Sequence, residues 1–254
     1  MAEIYRDMSD SYELYADEQV AWLQTNRRFG ALIPERSAEW QSNRAQAVSM
    51  IGRYCSAQTI ARVSPGDTEF TDLDYVDRPM DRYFAEGLIT TDRSIVLNAN
   101  AADCGELAVY GCGDSGREVI ALLHASRASV ERQTYIKALD YMASIYDVVP
   151  ESMRVTMSPS ARAESYAFDD IDPVQKIADS WADYVCQDES GVWHVDFHQR
   201  TIDDLVSFGV LPESLSVSPI DTIANTDYFS HYRSQRTREE RGSNGILFAL
   251  RDND

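Results

Sequence analysis

The sequence is poor in the residues on which copper sites and disulfide frameworks depend. It contains only 4 histidines and 4 cysteines among 254 residues, and the cysteines form no CxxC pair. Multicopper sites rely on paired histidines, and no His-x-His occurs here, so we expect no copper. Scattered cysteines favour free thiols in a reducing compartment over a disulfide framework. The four thiols are those of Cys55, Cys104, Cys112 and Cys186.

Positive charge is also scarce. Lysine and arginine number 23 against 42 aspartates and glutamates, which gives a net charge of −19. Nucleic acids and anionic membranes are bound through surplus lysine and arginine, so neither is an expected partner. A small anionic substrate stays compatible with this charge, because a local arginine cluster can hold one phosphate.

Long apolar runs are absent as well. No stretch approaches the roughly 18 to 20 apolar residues of a membrane span, and residues 1–17 lack the basic and apolar regions of a signal peptide. These absences predict a cytoplasmic location. At 44% hydrophobic and 26% charged, the composition is that of a folded protein with a substantial core. We predict one domain over residues 21–254, preceded by an acidic arm at 1–20 that forms a short surface helix or is partly ordered.

Apolar periodicity predicts interleaved helices and strands, which is typical of the α/β class. Helices are expected at 37–55, where Ser37 can cap the first turn, and at 128–148, 173–186 and 201–208. Strands are expected at 95–97, 107–110, 119–123, 154–157, 192–197, 215–217 and 246–250. Short connections indicate antiparallel pairing among the first three strands, so we predict an α+β-like single domain with a mixed, partly antiparallel sheet flanked by helices. The glycine-rich segment 111–116 is predicted to be a hairpin turn, because no Lys-Ser/Thr pair and no helix follow it.

Two residues mark a candidate site. Cys104 lies between two predicted strands, beside Asp103 and Gly105, and a lone cysteine there is typical of the core. His124 ends the apolar strand at 119–123, and a hairpin would bring it to the same end of the sheet as Cys104. A thiol and an imidazole that close could bind zinc or act as a nucleophile and its base. A histidine bonded to backbone groups remains the alternative.

These residues fall within an ordered series of short motifs that spans roughly residues 20–250. In chain order the series comprises Arg28-Phe29-Gly30, Asn43-Arg44, Ala85-Glu86-Gly87-Leu88-Ile89-Thr90, Ala102-Asp103-Cys104, His124-Ala125-Ser126-Arg127, Ser158-Pro159-Ser160-Ala161, Asp221-Thr222 and Tyr228-Phe229-Ser230-His231-Tyr232-Arg233. The series resembles the YfiH family of laccase-domain, polyphenol-oxidase-like proteins. The resemblance implies a YfiH-like fold.

The resemblance also implies purine nucleoside chemistry, namely phosphorolysis of adenosine or inosine with adenosine deamination as a second reaction. It implies that Cys104 and His124 hold zinc and that no nucleotide cofactor is used. In the same scheme Asp103 contacts or protonates the purine, and Arg44 places the phosphate. Further phosphate-binding candidates are Arg127, Arg28 and Arg233.

The sequence departs from the family at the metal. The family's Gln-x-His-Gly motif should fall at 62–66, where Ser64 stands in place of the histidine. Zinc sites usually take three protein ligands plus water, and only two remain unless His231 substitutes. Deamination depends on a metal-activated water and should suffer more than phosphorolysis.

Two alternatives stay open beside this enzyme. One is a non-catalytic purine- or nucleotide-binding protein that keeps the pocket without zinc. The other is a cysteine hydrolase in which Cys104 is the nucleophile and His124 the base. The two other histidines, His194 and His198, are predicted to share one face of the strand at 192–197 and to serve packing or the surface rather than a metal.

Overall fold

Sixteen strands in three sheets form the frame of the computed structural model, which describes residues 5–33, 38–56, 59–76, 80–169 and 179–252. The seven-stranded sheet has the order β1 (Tyr5–Met8), β2 (Tyr12–Ala16), β3 (Val20–Thr25), β16 (Asn244–Leu250), β8 (Ile95–Ala101), β4 (Thr59–Thr68), β6 (Arg82–Ala85). The six-stranded sheet has the order β15 (Leu215–Val217), β11 (Arg154–Met157), β9 (Gly105–Cys112), β10 (Glu118–Ala125), β7 (Gly87–Thr90), β5 (Thr71–Asp72). The three-stranded sheet has the order β12 (Ala167–Phe168), β14 (Trp193–Val195), β13 (Val185–Gln187).

Parallel and antiparallel pairs occur in both larger sheets, which confirms the predicted mixed sheet. The parallel pairs are β4–β6, β4–β8, β5–β7 and β11–β15.

The described helices are α1 (Trp40–Ile51), α2 (Arg127–Arg132), α3 (Thr134–Tyr146), α4 (Phe197–Phe208) and α5 (His231–Thr237). None of the helices in the described part of the chain is long and apolar enough to cross a membrane.

The two larger sheets stack face to face, because strands of the six-stranded sheet are apolar on both of their faces. In β10, Val119 and Ala121 pack in the core shared with α3, while Ile120 and Leu122 pack in the core shared with the seven-stranded sheet. Side chains of this kind each contribute about 1.5–3 kcal/mol when fully buried. Helix α1 covers the outer face of the seven-stranded sheet. The layers are therefore α1, the large sheet, the six-stranded sheet, and α3 with α4.

Most predicted elements are confirmed, with changes at their ends. The helix predicted at 37–55 is α1, and its proposed cap Ser37 lies outside the described residues. The helix predicted at 128–148 is divided into α2 and α3 by Gln133, whose φ of 52° is left-handed. The turn predicted at 111–116 joins β9 to β10 in an antiparallel hairpin.

Three local predictions are wrong. Residues 5–16 were expected in a helix or arm but form β1 and β2, because Leu14 and Ala16 alternate with more exposed residues and are fully buried in the core between the large sheet and α1. The described part of 173–186 contains a short 3-10 helix, Asp179–Trp181, and strand β13. The strand predicted at 192–197 ends at Val195, because Asp196 caps α4 by accepting a hydrogen bond from Gln199 N. His198 therefore lies in a helix and shares no strand face with His194.

Candidate active site

Cys104 and His124 lie at the same end of the six-stranded sheet. Cys104 immediately precedes β9, and His124 is the penultimate residue of β10. The antiparallel register places His124 opposite Glu106, two residues beyond Cys104. The Cys104 thiol lies close enough to the imidazole to raise the pKa of His124. The predicted hairpin thus brings the two groups together.

The His124 ring is buried between two acidic partners. Its exposed fraction is 7%, and its Nδ1 lies 2.7 Å from Oε2 of Glu86. The backbone N of His124 also donates to the carbonyl of Glu86 at 2.7 Å. Burial lowers the pKa of His124, but Cys104, Glu106 and Glu86 raise it and prevail, so this pKa lies well above its usual value.

Glu86 is itself held in place from α2. Ser129 Oγ donates to its Oε2 at 2.9 Å, and a guanidinium nitrogen of Arg132 lies 3.0 Å from its Oε1. Burial raises the pKa of Glu86, whereas His124, Ser129 and Arg132 lower it, and the pKa falls below its usual value. The carboxylate is therefore a fixed anion that orients the imidazole. A Cys104–His124–Glu86 chain of side chains results.

A second buried acid, Glu106, stands beside this chain. It is 3% exposed, and its Oε2 has no hydrogen-bond partner among the described residues. Burial raises the pKa of Glu106 to about 8, against a smaller opposite effect of His124. Buried carboxyl oxygens without partners are uncommon, because their desolvation is uncompensated. The sequence analysis did not identify Glu86 and Glu106 as site residues. The feature that could have identified them is an acidic residue placed directly beside the apolar residues of a strand.

Asp103 ties the Cys104 loop to three other segments. Its Oδ1 accepts from Thr222 Oγ1 at 2.8 Å, and its Oδ2 accepts from Ser230 Oγ at 3.1 Å and from Tyr232 N at 2.7 Å. Its carbonyl accepts from Ala161 N at 2.9 Å. The residue has a φ of 84°, a conformation that aspartate tolerates better than most. Asp103 therefore joins the motif segments that contain Ala161, Thr222 and Ser230 into one wall.

Arg127 faces an aromatic cluster on the other side of Cys104. Its guanidinium carbon lies 5.1 Å from the ring centroid of Phe168 and 5.8 Å from that of Tyr166. These rings and Tyr232 contact one another with centroids 4.6–5.6 Å apart. Burial raises the pKa of Tyr166, Arg127 lowers it, and Cys104 raises it, so the cluster lies within electrostatic range of Cys104. Within the described ranges no carboxylate forms an ion pair with Arg127.

The other predicted phosphate ligands do not converge on this point. Arg44 lies in a shallow depression on the outer side of α1, formed with β4. Arg28 is half-exposed and pairs with Asp227 at 2.9 Å. Arg233 donates to four backbone carbonyls of residues 222–228 and pairs with Glu239 at 2.7 Å, so its guanidinium is fully used within the fold.

The side chains present do not fit a zinc ion. Ser64 Oγ accepts from Nε of Arg82 at 2.9 Å, so a cation contacts the position at which the sequence resemblance expects the third ligand. His231 is exposed, and its Nε2 lies 2.8 Å from Nε2 of Gln235. Among the residues that the structure describes, no group of three His, Cys, Asp or Glu side chains could hold a metal ion. Two donors alone leave affinity low.

A separate cavity lies away from this site. It has a volume of about 530 Å³ and opens between the two larger sheets, where Trp22, Met157 and Phe248 form part of its lining. Neither Cys104 nor His124 borders it. The concentration of buried acids, imidazole and thiol, rather than the cavity volume, therefore locates the candidate active site.

The layered sheets and the thiol–imidazole site define a YfiH-type fold. The chain belongs to the family described as multi-copper polyphenol oxidoreductase laccase, whose family model matches residues 30–249. A relative from Mycobacterium tuberculosis that bears the name purine nucleoside phosphorylase is 25% identical over 218 residues, which cover 82% of this chain and 80% of the relative. A Mycobacterium bovis protein of the same name matches equally.

Solved structures support the same assignment of fold. YfiH from Bacillus licheniformis superposes with a TM-score of 0.78 at 17% identity, covering 96% of this chain and 97% of that one. YlmD from Geobacillus stearothermophilus gives 0.72 at 16% identity, with 92% of each chain covered. The resemblance to the YfiH family and the predicted fold class are thereby confirmed.

Proposed function

We propose that the chain is a purine nucleoside phosphorylase that works without zinc. The observation that carries this proposal is the position of Arg127. It is a cation without a carboxylate partner among the described residues, and it lies against aromatic rings within electrostatic range of Cys104. In a chain with a net charge of −19, such an arginine is available to an anion. The names of the mycobacterial relatives support the same substrate class.

The two halves of the substrate fit the two parts of this surface. The cluster of Tyr166, Phe168 and Tyr232 offers faces and edges against which a purine can stack. The Arg127 fork can hold inorganic phosphate through two parallel hydrogen bonds. Binding both on one guanidinium–aromatic patch would bring the phosphate close to the sugar carbon that bears the base.

The reaction then needs little from the protein beyond placement and charge. A phosphate oxygen bonds to the anomeric carbon while the carbon–nitrogen bond to the purine breaks. The electron pair leaves with the purine, which takes up a proton, and the products are the free base and ribose 1-phosphate. The Cys104–His124 pair supplies polar hydrogens beside the rings, where negative charge develops on the leaving base. Asp103 positions the loop that carries Cys104, since both its oxygens already accept hydrogen bonds.

Deamination of adenosine is not part of this proposal. It requires a water activated by a metal, and the donor set around Cys104 does not suit one. This difference separates the two reactions that the family resemblance implies.

The test is incubation of the protein, after treatment with a chelator, with adenosine or inosine in the presence and absence of phosphate. We expect free base and ribose 1-phosphate only when phosphate is present. Arg127→Gln should lower kcat/KM for phosphate by roughly 10- to 100-fold, because a hydrogen bond to a charged group contributes about 1.5–3 kcal/mol.

Arg117→Gln is the matched control. Arg117 also lies over an aromatic ring, 4.8 Å from the centroid of Tyr146, but at the turn end of the β9–β10 hairpin. It should leave kcat/KM unchanged. Nucleoside binding without turnover would favour the non-catalytic alternative, and absence of both binding and turnover would refute the proposal.

A further inference from the structure

We propose that Cys104, His124 and Glu86 form a metal-free nucleophilic centre that hydrolyses esters or thioesters of small anionic acids. This activity is separate from nucleoside phosphorolysis, although the two share one pocket. It uses the thiol as a nucleophile, and it gives a role to the buried acids Glu86 and Glu106, which have none in phosphorolysis.

The order of the three side chains is that of a nucleophile, a base and an orienting acid. The thiol of Cys104 lies close to the ring of His124, and the ring nitrogen Nδ1 lies 2.7 Å from Glu86. Ser129 and Arg132 fix that carboxylate. The acid therefore holds the ring with its other nitrogen toward sulfur, which is the arrangement that nucleophilic catalysis needs.

The surroundings favour this use of the thiol over metal binding. A third ligand would have to come from the Ser64 position, where Arg82 donates to the serine hydroxyl. A guanidinium there repels a metal cation. The same cation does not disturb a thiol–imidazole pair that needs no further ligand.

Two unsatisfied groups indicate what the centre binds. Glu106 is 3% exposed, faces His124 across the β9–β10 ladder, and has an Oε2 without a partner among the described residues. This oxygen is available to a polar group of a ligand. Arg127, beyond Tyr166, provides a positive charge on the open side. An acyl group that carries a carboxylate or phosphate matches the charge of Arg127.

The chemical steps balance within these residues and water. The Cys104 sulfur bonds to the acyl carbon, His124 accepts the thiol proton and passes it to the departing alcohol or thiol, and an acyl-enzyme thioester remains. Water then attacks the thioester and gives a proton to His124. The carbon–sulfur bond breaks, the acid is released, and the proton returns to sulfur.

The wild-type protein contains its own controls for thiol reactivity. Cys112 and Cys186 are exposed, whereas Cys104 is half-buried. With limiting iodoacetamide, we expect Cys104 to be alkylated several-fold faster than both exposed thiols, as measured by peptide mass spectrometry. With the anionic reagent iodoacetate this preference should increase, because Arg127 faces the Cys104 pocket. Equal or slower reaction at Cys104 would overturn the proposal, and so would full protection by one equivalent of zinc.

Variants then test the roles of the partners, with 4-nitrophenyl acetate as the acyl donor. His124→Gln should slow acetylation of Cys104 by about a hundredfold, the lower end of what a positioned general base contributes. Glu86 acts through His124 as a positioning residue, so Glu86→Asp should retain more activity than Glu86→Gln. Equal rates in the wild type and His124→Gln would contradict the mechanism.

The two activities can fail independently. Arg127→Gln should lower kcat/KM for phosphate as stated above, while acetylation by the neutral ester continues at the wild-type rate. In the wild-type protein, absence of nucleoside turnover with intact Cys104 acetylation would refute only the phosphorylase, and nucleoside turnover without Cys104 acetylation would refute only the hydrolytic centre.

Discussion

Replacing Asp103 with alanine removes the acceptor of three hydrogen bonds and leaves their donors in place. The donors are Thr222 Oγ1 and Ser230 Oγ, which are buried, and the backbone N of Tyr232, which is partly buried. A hydrogen bond to a charged group contributes about 1.5–3 kcal/mol, and a donor left buried without a partner costs about 1–3 kcal/mol. Because neighbouring contributions are not additive, we expect a loss of about 4 kcal/mol from these contacts rather than their full sum.

The backbone conformation adds a second cost that must be separated. Asp103 has a φ of 84°, which alanine adopts only at a penalty of about 1–2 kcal/mol. Asp147 provides the matched control, since it is exposed and also has a positive φ, 54°. No hydrogen bond to its carboxylate is made within the described part of the chain. Asp147→Ala is therefore destabilised only by the unfavourable backbone conformation.

Urea unfolding of the wild type and both variants measures the difference. We expect the free energy of unfolding to fall by about 4 kcal/mol more in Asp103→Ala than in Asp147→Ala, with unchanged m-values. If the two variants agree within about 1 kcal/mol, the hydrogen-bond network around Asp103 does not stabilise the loop as argued.

Two further predictions concern a buried imidazole and the aromatic cluster. Burial lowers the pKa of His198 from 6.5 to about 3, so between these values the unfolded chain binds a proton that the folded chain does not. The free energy of unfolding should therefore fall as pH falls from 6.5 toward 3, by up to about 1.4 kcal/mol per pH unit. Urea unfolding of His198→Asn at several pH values should lack this contribution to the pH dependence. Phe168→Ala should raise KM for inosine by roughly tenfold, since stacking of a base on an aromatic ring contributes about 1–3 kcal/mol. Initial-rate assays should show an unchanged KM for phosphate. An equal rise in both constants would place the ring outside the base site.

The parts of the fold that were predictable are those in which local pattern and tertiary packing agree. The apolar run before His124 and the glycines at 111–116 predict the β9–β10 hairpin, and α3 follows from its buried helical face. The helix break at Gln133 contains no glycine or proline, so the local sequence does not predict it. The strands at 5–16 were missed because acidic residues conceal a short period-two pattern.

The candidate site was predictable only where one strand pair creates it. Cys104 and His124 meet through hairpin register, which spacing reveals. The pairing of β7 with β10 brings Glu86 to the site, and in the sequence Glu86 is only one residue within a motif. The contact of Arg127 with Phe168 depends on how a long loop folds back, and periodicity contains no information about it.

The same contacts explain how the pocket can persist without a metal. In many zinc proteins the ion contributes folding energy, because its ligands are otherwise unordered. Here protein groups hold each remaining donor: Glu86 fixes His124, and Asp103 fixes the loop that carries Cys104. The thermal unfolding midpoint should therefore be the same with and without a strong chelator, and zinc up to micromolar concentration should not raise it. A rise that grows with the logarithm of zinc concentration would show binding to the folded state and would restore the metal site that these residues argue against.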